Sequence, residues 1–234
     1  GKRVWIQAKL TKEYLIGGDP GERLDPFVLV VNAHDGTLAF TVCNTSVRAV
    51  CANTISAGLR RALRTFRIRH TSGLAGQVQE ARRALRLAVG YHDLMAELGD
   101  LLISQSYSEK AASKILVDCI PVPESTGKNQ QAIRNAKRNQ ERLLSEWKMV
   151  PDLQNIRLTG WGILQAVTRF EDWTRFDVTP KEISDDRRFE RVLIESNPIK
   201  QQALALLAPD WIGRAPRVDE LIAASDEDAL AMTA

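Results

Sequence analysis

The sequence predicts an α+β fold, with a small antiparallel β-sheet in the N-terminal third followed by a mostly helical C-terminal part. Three observations predict it. Residues 4–10 alternate apolar and polar side chains at the period of a strand. Asp35-Gly36 stands between two apolar runs, where a tight hairpin needs residues that accept a positive φ. From Leu74 onward the apolar residues recur at spacings of three and four, the helical period.

Taken in order, the first strand places Val4, Ile6, Ala8 and Leu10 on one side, as in a half-buried strand, and Trp5, Gln7 and Lys9 on the other. Gly17-Gly18-Asp19-Pro20-Gly21 is a loop by composition. The hairpin is expected over 27–33 and 37–43. After Asn44-Thr45-Ser46 the pattern turns helical, with Val50, Thr54, Ile55, Leu59, Ala62 and Leu63 on one face and Arg60, Arg61 and Arg64 largely off it. Residues 65–71 alternate again as a strand, with Phe66, Ile68 and His70 on one side and Arg67 and Arg69 on the other.

A long helix is expected over 74 to about 106, burying Val78, Ala81, Leu85, Ala88 and Val89, with Arg82, Arg83 and Arg86 outside and a bend or break at Gly90 or Gly99. Residues 108–120 form another helix, stopped by Pro121 and Pro123, and 124–128 is the clearest linker. A polar helix follows over 129–149, then helices over 160–176, 188–196 and 200–208. The expected organisation is an α+β core over 1–123 carrying a basic face, a helical region over 124–212 and an acidic, frayed tail over 213–234.

Of the 234 residues, 44% are apolar and 26% charged, the balance of an ordinary globular chain. A chain of this length buries roughly 70% or more of its unfolded surface, so its core needs no disulfide or metal. Cys43, Cys51 and Cys119 form no CxxC pair and are odd in number, which points to reduced thiols in the cytoplasm. Charge-free stretches such as 37–47 fall far short of the ~20 residues of a membrane span, and no signal peptide opens the chain. Gly1 stands directly before a strand-like run without a methionine, which reads as a piece of a longer gene product.

The net charge of +3 conceals an asymmetry. Residues 1–150 hold 22 Lys and Arg against 14 Asp and Glu, a net of +8, while 151–234 hold 10 against 15, a net of −5. Within 48–86 stand nine arginines, no lysine and a single acid, Glu80. Guanidinium is planar and bidentate toward phosphate, so such a cluster is a better phosphate clamp than the same number of lysines. Arg60, Arg61 and Arg64 on a helix, with Arg67 and Arg69 on the next strand, are expected to line a groove for a polyanion, and Arg48 to join them. Arg134, Lys137, Arg138 and Arg142 recur at spacings of three and four and form a second basic stripe. Trp5 and Phe66 are available to stack on bases, and the absence of a base-reading motif argues for weak sequence preference.

Catalytic patterns are missing. His34, Asp35, Cys43, Cys51, His70 and His92 are the ligand pool of the N-terminal half and none is paired at zinc spacing, so neither metal nor cofactor is expected. His70 and His92 read as packed or capping residues, and Cys51 as a small buried one. Ser125-Thr126-Gly127-Lys128-Asn129 fails as a phosphate loop, because Val122 and Asn129 stand where a glycine and a Ser or Thr are required. Glu146-Trp147-Lys148 resembles the end of a nuclease constellation but lies on a helix instead of a strand.

Several segments together carry a family resemblance. Val4-Trp5-Ile6-Gln7-Ala8-Lys9-Leu10, His34-Asp35-Gly36, Val47-Arg48-Ala49-Val50-Cys51-Ala52-Asn53-Thr54, Arg67-Ile68-Arg69-His70-Thr71 and Glu80-Ala81-Arg82 are joined by Gly160-Trp161-Gly162, Ala166-Val167-Thr168 and Lys200-Gln201-Gln202-Ala203-Leu204. In this order they resemble the phage/plasmid-like protein family, a domain of unknown function found on phages, plasmids and integrated elements. The chain departs from that pattern at Arg169-Phe170, Asp172-Trp173 and Ser196-Asn197-Pro198. The resemblance implies a mobile genetic element and DNA metabolism and transfers no catalytic residue.

The expected function is therefore nucleic-acid binding, with single-stranded DNA favoured, as a non-catalytic accessory to recombination or strand annealing. Annealing would also call for a homo-oligomer. The rival is a protein-interaction module that docks its basic part on an acidic partner, and charge asymmetry fits it equally well.

Overall fold

The computed structural model describes residues 3–33, 40–48, 53–55, 65–68, 74–173 and 198–214. Among them, six strands form one antiparallel sheet: β1 (Arg3–Lys9), β2 (Tyr14–Leu15), β3 (Arg23–Ala33), β4 (Phe40–Arg48), β5 (Asn53–Ile55) and β6 (Thr65–Ile68). β3 and β4 are central, paired from Leu24 opposite Arg48 to Val31 opposite Thr41. β1 and β2 line the outer edge of β3 at different heights, and β5 and β6 do the same along β4. The expected fold class and hairpin pairing are thus present, while the Asp35-Gly36 turn lies outside the described residues.

Two expectations for this part need correction. β1 forms, but Val4 is 47% and Ile6 63% exposed. The helical layer is centred on the middle strands, where Ala88 packs on Val28 and Val42, and the outer strand lies beyond it. The helix expected after Ser46 is also replaced at its start, because β4 continues through Asn44, Thr45 and Ser46 to Arg48, and β5 pairs with its last three residues. A short run rich in β-branched Val47, Thr54 and Ile55 fits both periods, and pairing to β3 decides for the strand.

The helices are α1 (Leu74–Ser104), α2 (Glu109–Asp118), α3 (Gln130–Met149), α4 (Gly160–Asp172), α5 (Pro198–Leu207) and α6 (Pro209–Arg214). α1 runs unbroken through Gly90 and Gly99. Gly99 is there for close approach: a Cβ would lie 2.5 Å from Ile16 Cδ1, on the turn that follows β2. Val89, expected inside, is 45% exposed, whereas Ala88 beside it is buried. Ser108 caps α2, its hydroxyl accepting from Ala111 N–H. The helix expected over 188–196 and the tail beyond 214 lie outside the described residues.

α4 sits at the centre, with every residue but Arg169 buried, and touches α1, α3, α5 and β5. One cluster of buried side chains runs from Tyr14, Ile16 and Leu24 through Leu98, Leu116, Trp147, Trp161 and Phe170 to Leu204. That cluster includes residues on both sides of position 124, so the segment over 124–128 is an exposed loop on a shared core. The start of α4 depends on Gly162, whose missing Cβ would collide with the Ile156 carbonyl. Thr159 caps the same turn by accepting from Gly162 N–H at 3.1 Å.

Candidate nucleic-acid interface

Arg48 is not a surface group, and the structure corrects its expected role. It is 1% exposed, and its Nε and Nη2 donate to the Glu22 carboxylate at 2.7 and 2.5 Å. Nη2 also donates to the Asp152 carbonyl at 3.0 Å, and Trp161 Nε1 donates to Glu22 Oε2 at 2.8 Å. A guanidinium engaged in this way ties the sheet to the helical core. It has no fork left to hold phosphate.

Arg60, Arg61, Arg64 and Arg69 lie outside the described residues. Arg67 stands on β6 opposite Thr41, and its side chain lies outside the described residues, as do those of Trp5 and Phe66.

The second basic stripe is laid out on α3. Leu143 and Trp147 turn the helix inward, Trp147 being fixed by donation from Nε1 to the Arg157 carbonyl at 2.8 Å with the Arg157 guanidinium 5.0 Å from its ring. With that face buried, Arg134, Lys137 and Arg138 are exposed and Arg142 is half-buried. Arg134 and Arg138 donate to Gln131 Oε1 at 2.8 Å and Asn135 Oδ1 at 3.3 Å, neutral partners that leave their charge uncompensated. Among the described residues no ion pair engages Arg134, Lys137 or Arg138. Lys148, which sequence reasoning passed over, is exposed on the same helix eleven positions after Lys137, a spacing that returns to the same face. Glu141 is exposed among these cations, and Glu146 is taken up by Arg169 Nε at 3.0 Å. The outward side of α3 therefore carries four exposed cations, Arg134, Lys137, Arg138 and Lys148, against one exposed acid, with Arg142 at its margin.

Of the residues considered for catalysis, His34, Asp35, Cys51, His70 and the Cys43 side chain lie outside the described residues, and His92 is occupied structurally. His92 is buried, its Nδ1 2.8 Å from Ser46 Oγ, and burial lowers its pKa to about 4. Burial pushes the Cys119 thiol up to about 12, which keeps it un-ionised. In the 124–128 loop, Thr126 N–H donates to the Asn129 side chain and Gly127 adopts φ 76°. At the end of α4, buried Lys200 donates to Asp172 at 2.5 Å, a second internal ion pair. Among the described residues no three His, Cys, Asp or Glu gather as a metal site, and no helix is long and apolar enough to cross a membrane.

The family described as Domain of unknown function (DUF932) matches residues 1–193. The chain belongs to this family. The DUF932 span takes in the whole sheet, the Glu22–Arg48–Trp161 junction and the basic side of α3. No curated protein and no solved structure matches the chain.

Proposed function

We propose that this DUF932 chain is a non-catalytic protein that binds nucleic acid, single-stranded DNA by preference, and serves a mobile genetic element of the phage or plasmid kind as an accessory to recombination or strand annealing. The observation that carries the reading is the outward side of α3, where Arg134, Lys137, Arg138 and Lys148 stand exposed with Arg142 at its margin. Cations one helical turn apart repeat every 6 Å or so, a spacing that successive phosphates of an extended strand can follow. The arginine-rich sequence over 48–86 supports the same chemistry with a guanidinium excess, although Arg48 is withdrawn from it. The resemblance to mobile-element proteins, carried by runs from Val4 to Leu204, supports the biological setting.

The test is equilibrium binding of labelled single- and double-stranded oligonucleotides at two salt concentrations. Alanine at Arg134, Lys137, Arg138 and Arg142 together is expected to weaken single-strand affinity at least tenfold at moderate salt. Unchanged affinity removes this surface from the interface. Alanine at Arg64, Arg67 and Arg69 tests the N-terminal cluster in the same assay.

A further inference from the structure

The basic stripe does not end in open solvent. Arg134, Arg138, Arg142, Ser145 and Met149 follow one another on α3 at steps of four, four, three and four, which keeps them on one face over about 22 Å. The last three of them, with Glu146, Val150 and Pro151, line a hollow of about 330 Å³ where α3 ends and the chain turns at Pro151. Met149 is 75% exposed there although it is a large apolar side chain. The far wall, Val150 and Pro151, is also apolar, while Arg142, Ser145 and Glu146 supply polar groups at the side facing the stripe.

Phosphate alone has no use for an apolar wall. A nucleobase has two apolar faces and a polar edge, and it reaches such a hollow when the phosphates beside it are held by a row of cations. We propose that the hollow at the end of α3 holds a nucleobase turned out from a single strand whose backbone lies along Arg134, Arg138 and Arg142. Met149, Val150 and Pro151 cover the faces of the base, and Ser145 meets its edge. This rests on the nucleic-acid reading above and adds to it a contact that depends on bases.

The experiment compares binding of the full chain to a labelled oligothymidylate and to an abasic strand of the same length and charge. The wild type is expected to prefer the base-bearing strand at least fivefold. Ser145→Leu, which fills the hollow from an exposed position with an aliphatic side chain that offers no ring for a base to stack on, is expected to abolish the preference. With methyl-labelled methionine, the Met149 resonance is expected to move upfield with the oligothymidylate and not with the abasic strand. Equal affinity of the wild type for both strands, or a preference that survives Ser145→Leu, overturns the base site and leaves the phosphate stripe standing. Failure of both strands to bind overturns the nucleic-acid reading and the base site with it.

Discussion

Arg48 and Arg138 are the same side chain in opposite settings. At the junction of sheet and helices, Arg48 is buried and meets the Glu22 carboxylate, the Asp152 carbonyl and, through Glu22, the Trp161 indole. On α3, Arg138 is exposed and meets only an asparagine side chain at 3.3 Å. A buried charge is costly unless paired and hydrogen-bonded, so the first setting is a structural tie whose loss is felt throughout the fold. An exposed charge with neutral neighbours contributes little to folding and stays available to an external anion. Residue type marks both positions as phosphate binders, and only the surroundings separate them.

The largest effect belongs to the junction. Glu22→Ala leaves the Arg48 guanidinium buried without its carboxylate and Trp161 Nε1 without its acceptor. A loss of about 3–5 kcal/mol is expected, a fall in melting temperature of roughly 10 °C for a chain of this size. Thermal denaturation followed by circular dichroism checks it, and a shift under about 2 °C contradicts the structural role. The same substitution leaves oligonucleotide affinity unchanged at temperatures where the variant is folded.

Next comes a pH effect from His92. Its folded pKa of about 4 lies below the ordinary 6.5, so between these values the unfolded chain binds a proton that the folded chain refuses. Stability contributed by this group is full above pH 6.5 and is lost as pH falls toward 4, by up to about 3 kcal/mol. Urea unfolding at a series of pH values measures the slope. His92→Gln, which cannot titrate, is expected to flatten it, and an unchanged slope would assign the effect to other groups.

A smaller effect is expected at the start of α4. Gly162→Ala drives a methyl group into the Ile156 carbonyl and costs about 1–3 kcal/mol as the turn shifts, readable in the urea midpoint. Smallest of all is the stability change from alanine at the exposed Arg134, Lys137 and Arg138, within about 0.5 kcal/mol for each. That pairing of intact stability with weakened binding is the reverse of what Glu22→Ala does.

What the sequence reveals divides along the same line. The β3–β4 hairpin, the interrupted polar loops and the long helices are legible because their signals are local, a turn dipeptide or a repeat of three and four. The α3 stripe is legible for the same reason: its members lie on one helix whose buried face is announced by Leu143 and Trp147. Arg48 is not. Its partners are 26 positions back at Glu22 and 104 positions ahead at Asp152, and no local pattern announces contacts of that range. The continuation of β4 through Asn44, Thr45 and Ser46 is hidden similarly, since these polar residues suggest a turn and are buried only because the sheet and α1 enclose them. The resemblance runs containing Arg48 and Trp161 meet at Glu22, so part of what carries the resemblance is a device that holds the fold together.

The salt dependence of single-strand binding tests the division between interior and exposed arginines most directly. Each phosphate contact to a single strand contributes about 0.7 to the slope of log K against log salt. Alanine at Arg134, Lys137, Arg138 and Arg142 is therefore predicted to make the slope shallower by about 3. An identical slope in the wild type and the fourfold variant would contradict the account.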